Sequence, residues 1–155
     1  MTTIRTVAVI GAGQMGSGIA QVVAAGGYEV KLYDIAPDRV TLALGEIAAS
    51  LARRAARGLS SEAEAQAALQ RIAPVTTLAE AAKADMVIEA ASEEEAVKKG
   101  VFAELTPLLG PDTLLASNTS SISITRLASV TDRPERFIGL HLSLIHISEP
   151  TRPLY

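Results

Sequence analysis

The chain has 155 residues, 48% hydrophobic and 20% charged, so it is read as one domain with a sizeable core and is short for two. A formal net charge of -3 supplies no broad basic field, which argues against nucleic acid or an anionic membrane surface as a partner. Cysteine is absent, excluding disulfides, thiolate metal sites and cysteine nucleophiles. There is no signal-peptide pattern and no apolar run of membrane-spanning length, so the expected compartment is cytoplasmic.

Thr6 to Ile10 (TVAVI) is β-branched and almost wholly apolar, the pattern of a central parallel strand buried on both faces. A glycine-rich turn leads into a predicted helix with Met15, Ile19, Val22 and Val23 at helical spacing, ended by Gly26 and Gly27. Tyr28 to Tyr33 alternates as a second strand and stops at Asp34, completing a βαβ unit. Pro37 opens a long helix that runs to Gly58, and Ser60 or Ser61 with Glu64 forms a capping box for the next. This helical pair, about 37–72, is longer than a crossover needs and reads as an insertion. Further along come a short strand (Pro74 to Thr77), a brief helix (Leu78 to Lys83) and a buried strand (Asp85 to Glu89). An amphipathic helix follows from Glu93 to Leu109, with Val97, Val101, Leu105 and Leu108 on one face. Two strands, Thr113 to Ala116 and Arg136 to Leu142, flank a helix over Ile122 to Ser129. This alternation predicts an α/β fold of the Rossmann type, a doubly wound, mostly parallel sheet with an inserted helical pair.

Gly11, Ala12, Gly13, Gln14, Met15 and Gly16 spell GxGxxG between a buried strand and a helix. Gly11 allows the tight turn, Gly13 lets a pyrophosphate approach bare backbone, and Gly16 permits close helix–sheet packing. The helix N-terminus offers unpaired N–H groups and its positive dipole end to phosphates. Asp34, roughly 20 residues on, is placed to accept hydrogen bonds from the adenosine ribose hydroxyls. Its carboxylate repels a 2′-phosphate, and Ile35 and Ala36 bring no counter-charge, so NAD is favoured over NADP; Arg39 stands one helical turn further on. No metal site is expected.

Near the end of the chain, Ser117-Asn118-Thr119-Ser120-Ser121 closes a strand with hydroxyl and amide groups, and His141 closes the last one. Together with VAVIGAGQMGSGIAQ, DMVIEA and RFIGLH, these residues closely resemble the NAD-binding domain of the 3-hydroxyacyl-CoA dehydrogenases, nearest to the bacterial short-chain, 3-hydroxybutyryl-CoA type. The resemblance runs from about Thr3 to His141. It implies reversible NAD-dependent oxidation of a (3S)-3-hydroxyacyl-CoA to the 3-oxoacyl-CoA. His141 would act as general base and Ser120 as a hydrogen-bonding partner of the reacting oxygen. It also implies that Glu93 and Lys98 border the NAD ribose and nicotinamide, and that Ser50 and Arg57 contact the CoA moiety, with Arg57 standing where the family has lysine. Read without the resemblance, Glu93 to Glu95 is a solvated acidic first turn, Ser120 a helix cap, and Arg53, Arg54 and Arg57 a solvated face.

After GLH the family continues with an aromatic pair, an Asn-Pro step and a helical domain that makes a homodimer and closes the acyl pocket. Here Leu142, Ser143 and Leu144 follow instead, so that C-terminal helical domain is expected to be absent. The NAD-binding domain is expected to span 1–142. Residues 143–155 resemble translated sequencing-adapter DNA and are expected to be a non-native tail. Without the glutamate that orients the histidine, the chain as written is expected to turn over little. Two other readings share part of the pattern. A β-hydroxyacid dehydrogenase-type enzyme shares GxGxMG but does not explain SNTSS followed by GLH, and a non-catalytic NAD-binding domain would keep the fold without the chemistry.

Overall fold

The structure is a computed structural model and describes residues 3–140. Six parallel strands form one sheet: β1 (Thr6–Ile10), β2 (Glu29–Tyr33), β3 (Ile72–Pro74), β4 (Met86–Glu89), β5 (Leu114–Asn118) and β6 (Phe137–Leu140). Their order is β3-β2-β1-β4-β5-β6, so the chain direction of sheet growth reverses between β1 and β4. Such a reversal leaves a crevice at the carboxyl ends of the two strands, where ligands bind in doubly wound sheets. Among the described residues six α-helices pack the faces: α1 (Gln14–Ala25), α2 (Pro37–Ala56), α3 (Glu62–Gln70), α4 (Leu78–Ala81), α5 (Glu95–Leu105) and α6 (Ile124–Ala128).

The unbroken apolar character of β1 follows from burial on both sides. Val7 and Val9 face a core shared with Ile19 and Ala20 of α1 and Ile47 and Leu51 of α2. Ala8 and Ile10 face a second core built from Phe102 and Leu105 of α5, Leu127 of α6 and Phe137 of β6. The Phe102 and Phe137 rings meet edge to face, with centroids 4.9 Å apart. Through Val40, Ala43, Ile47 and Leu51, α2 enters the first core directly, so the helical pair is packed into the domain.

Several predicted boundaries shift for identifiable reasons. The third strand lies at Ile72–Pro74, three residues of which pair with Val30, Lys31 and Leu32; Pro74 is tolerated because β3 is an edge strand. Thr77, predicted as strand, instead caps α4 by accepting from the Glu80 amide. The helix predicted from Ile122 starts at Ile124, because Ser123 caps it through the Arg126 amide. Ser61, of the two candidates, caps α3 by accepting from the Glu64 amide.

The α5 face needs correction, and small residues carry much of α1's. Ile19, Ala20 and Ala24 carry the buried side of α1, while Met15, Val22 and Val23 are half-buried. On α5 the buried residues are Lys98, Phe102 and Leu105, and Val97 and Leu108 are exposed. A hydrophobicity pattern cannot find this face because one of its three members is a lysine, buried by pairing with a glutamate beneath it.

Candidate functional site

The glycine turn sits at the carboxyl end of β1. Gly11 has φ +111°, a conformation side chains rarely adopt, and a Cβ on it would lie 2.5 Å from the Ala90 carbonyl oxygen. A Cβ on Gly16 would lie 1.7 Å from the carbonyl oxygen of Gly11, so the helix can start here only if that position is glycine. Gly13 differs from both: its φ is an ordinary -77°, and a Cβ there would meet no protein atom within 4 Å. Protein packing therefore gives no reason for glycine at 13. A ligand lying against the backbone would. No side chain caps α1 and no acidic residue occupies its first turn, so its N-terminal N–H groups and dipole face outward at Gly13 and Gln14, both exposed.

Asp34, at the carboxyl end of β2, is wired into this turn. Its Oδ2 accepts from the Ala12 amide at 2.9 Å and its Oδ1 from the Ala36 amide at 2.8 Å. The Gly11 amide donates to the Tyr33 carbonyl at 2.8 Å, so strand β2 and the turn are stitched side by side. Two hollows of about 350 Å³ each lie by the turn; Arg39 lines both, and Asp34 lines one. One runs over Gly13 and Gln14 towards α2. The other is walled by Tyr33, Ile35, Leu78, Val97 and Val101, an apolar slot of the kind a flat heteroaromatic ring fills. Burial pushes the Tyr33 phenol up, with the nearby carboxylates Glu104 and Asp34 adding to the shift. A third hollow of about 360 Å³ lies away from the sheet edge, between α2 and α3.

Beyond β4 and β5 the two loops touch. Glu93 accepts from the Thr119 hydroxyl and, at 3.4 Å, from the Ser120 amide, while Thr119 Oγ1 accepts from the Ile122 amide. The helix expected from Glu93 starts at Glu95, with Glu94 at its N-cap, so Glu93 lies before the helix and is bonded across to the SNTSS segment. Ser120 itself is exposed. Strand register pairs Ser117 with Gly139 and Asn118 with Leu140, so β5 and β6 end at the same level. His141, the next residue in sequence after Leu140, lies outside the described residues, as do residues 143–155.

Lys98 lies beneath this loop layer, with its side chain fully withdrawn from solvent. Its Nζ donates to Glu89 Oε2 at 2.8 Å and Oε1 at 3.1 Å, and to the carbonyls of Ala91 at 3.2 Å and Asn118 at 3.3 Å. Glu89 and Ser117, which sequence reasoning did not single out, complete the cluster: the Ser117 hydroxyl donates to Glu89 Oε1 at 2.6 Å, and the Ala91 amide to Oε2 at 2.7 Å. A glutamate closing an otherwise apolar strand, with a lysine in register with Phe102 and Leu105, was the available signal.

Ser50 and Arg57 sit two turns apart in and just past α2. The Ser50 hydroxyl accepts from Gln21 Nε2 at 2.9 Å, and exposed Arg57 ends the helix. Among the described residues no helix is long and apolar enough to cross a membrane.

Comparison with known proteins agrees with this geometry. The chain is 49% identical over 138 residues to a 3-hydroxybutyryl-CoA dehydrogenase of Bradyrhizobium diazoefficiens, covering 89% of this chain and 47% of that protein. It is 49% identical over 141 residues to a 3-hydroxyadipyl-CoA dehydrogenase of Escherichia coli, covering 91% of this chain and 30% of the relative. The chain thus spans half or less of the length of these curated relatives. The crystal structure of (S)-3-hydroxybutyryl-CoA dehydrogenase PaaH1 from Ralstonia eutropha superposes with a TM-score of 0.88 at 42% identity, over 91% of this chain and 50% of that one. A family profile described as 3-hydroxyacyl-CoA dehydrogenase, NAD binding domain, matches residues 6–144, and the chain belongs to that family.

Proposed function

We propose that this chain is the cofactor-binding part of an NAD-dependent dehydrogenase that reversibly oxidises a (3S)-3-hydroxyacyl-CoA, of the 3-hydroxybutyryl-CoA type, to the 3-oxoacyl-CoA. The observation that carries the cofactor half of this reading is the open space over Gly13, beside an uncapped helix start and an Asp34 already fixed to the turn. Pyrophosphate would rest against Gly11 to Gly16, including Ala12, Gln14 and Met15, where it meets N–H groups and no Cβ. The adenosine ribose hydroxyls would donate to the free lone pairs of Asp34, and the adenine would enter the slot between Tyr33 and Val101. Glu93 would border the nicotinamide ribose, with Lys98 behind it.

NAD, when bound, supplies the hydride acceptor. The protein's task is then to orient the 3-hydroxyl and take its proton. Ser120 is exposed at the end of β5, and its hydroxyl suits hydrogen bonding to the reacting oxygen. His141 follows the strand that ends level with β5, and an imidazole with an unperturbed pKa near neutrality suits the proton acceptor. As hydride leaves C3 and the O–H bond breaks, the proton passes to the imidazole and a C=O forms. Ser50 and Arg57 are the candidate contacts to CoA from α2. The names of the relatives support the acyl-CoA class, since those cited act on different 3-hydroxyacyl-CoAs.

A site with one wall supplied by further sequence should be slow without it. The test uses two proteins. Calorimetric titration of this chain with NAD should give saturable binding. NADH oxidation with acetoacetyl-CoA should be slight for this chain and strong when the helical domain of a relative is fused after residue 142. A chain that takes up no NAD, or a fusion equally active on a free small hydroxy acid's oxo form, would overturn the proposal.

A further inference from the structure

Burying a charge pair is expensive, and two apolar side chains of similar volume would fill the space between β4, β5 and α5 at no such cost. Among the described residues Glu89 and Lys98 are the ion pair with both side chains fully withdrawn from solvent. The pairing is also complete. An ammonium group has three N–H bonds, and those of Lys98 are directed to the Glu89 carboxylate, the Ala91 carbonyl and the Asn118 carbonyl. The Glu89 carboxylate in turn holds the Ser117 hydroxyl and the Ala91 amide.

What this cluster grips is specific. Both backbone groups of Ala91, just past β4, are held, as is the carbonyl of Asn118, the last residue of β5. Ala91 leads through Ser92 to Glu93, and Asn118 directly to Thr119 and Ser120. Those are the residues that meet across the loop layer above. We infer that Glu89, Lys98 and Ser117 are positioning residues: a buried charged brace that fixes the separation of the β4 and β5 loops and so sets where Ser120 and Glu93 stand relative to the nicotinamide half of the cofactor. This rests on the cofactor reading above. It gives Lys98 a role through the carbonyls of Ala91 and Asn118.

The experiment compares ADP, which engages the glycine turn and Asp34, with NADH, which also reaches the loops over the brace. In Ser117→Ala and Glu89→Gln chains, shown folded by far-UV circular dichroism, NADH affinity should weaken about tenfold, the size of one hydrogen bond to a charged group. ADP affinity should stay within about twofold, and the fluorescence change of bound NADH should diminish. Should Glu89→Gln fail to fold, Ser117→Ala, which deletes one hydroxyl, carries the test. Equal losses for ADP and NADH, or no loss for either, would overturn the inference. A wild-type chain that binds neither would instead remove the cofactor reading itself.

Discussion

Asp34 Oδ2 accepts from the Ala12 amide at 2.9 Å, across from the end of one strand to the turn leaving its neighbour. The carboxylate thereby does two things at once. It shapes the glycine turn from the side, and it leaves lone pairs for the ribose hydroxyls that a dinucleotide would bring. Two strands that pair along their length, Thr6 with Glu29 through Ile10 with Tyr33, deliver these two groups to one place.

Replacing Asp34 should therefore cost stability as well as binding. Asp34→Ala loses hydrogen bonds to both Ala12 and Ala36, each charge-assisted and worth about 1.5–3 kcal/mol, though water can replace part of this near the surface. A drop in the thermal midpoint is expected together with a loss of NAD affinity. Asp34→Asn keeps one acceptor oxygen, so it should melt between the two while still binding NAD more weakly than wild type. An Asp34→Ala chain that melts as wild type would contradict the structural half of this account.

The three motif glycines should separate cleanly on substitution by alanine. Gly16→Ala puts a methyl 1.7 Å from the Gly11 carbonyl oxygen, and Gly11→Ala adds a contact at 2.5 Å to a backbone conformation alanine resists. Both should destabilise by several kcal/mol, on the order of the cost of overpacking plus strain. Gly13→Ala meets nothing in the protein, so its melting should be unchanged while NAD affinity falls. Differential scanning calorimetry alongside NAD titration reads both quantities, and an unchanged affinity for Gly13→Ala would refute the pyrophosphate cradle.

These glycines also mark how far the sequence could be read. The turn was legible because GxGxxG between a strand and a helix has few other solutions, and the strands of β1 and β4 because burial on both faces leaves continuous apolar runs. For Gly16, close packing against the sheet was expected, whereas the nearest atom is the carbonyl of Gly11 within the turn itself. The Glu89–Lys98–Ser117 cluster was not legible, since its three members come from β4, α5 and β5 and a lysine on a buried helix face inverts the usual pattern. The face of α5 was misjudged for a related reason: a paired lysine, not another apolar side chain, joins Phe102 and Leu105 in its buried contacts.

Tyr33 offers a reading of the slot beside Asp34. Burial, then Glu104 and Asp34, raise its pKa above the ordinary 10.0. The folded chain thus holds the phenolic proton more firmly than the unfolded chain does. The resulting stabilisation is full below the unfolded value and is lost as pH climbs through the higher folded value. Tyr33 should ionise late in a tyrosinate absorbance titration, and Tyr33→Phe should abolish that late component. A late component that persists in Tyr33→Phe would place the perturbed phenol elsewhere.

At acid pH the corresponding group is Asp85, which precedes β4 and accepts through Oδ2 from the amides of Arg5 at 2.9 Å and Thr6 at 3.0 Å. These two amide bonds hold its carboxyl below the usual carboxylate value, outweighing some desolvation, and the Arg5 charge adds to the lowering. Here the sign reverses: the unfolded chain binds the proton more readily. The stabilisation is present above the unfolded value, near pH ~3.9, and disappears as pH falls through the lower folded value. Because β1 begins where Asp85 grips the backbone, losing this contact frees the start of the central strand and its pairing with β4. Asp85→Asn keeps an acceptor but removes the titration. Its stability should therefore be lower than wild type at neutral pH, and the gap should narrow as the pH is brought below 4. Urea melts at a series of pH values measure this directly, and a gap independent of pH would show that the Asp85 charge contributes nothing.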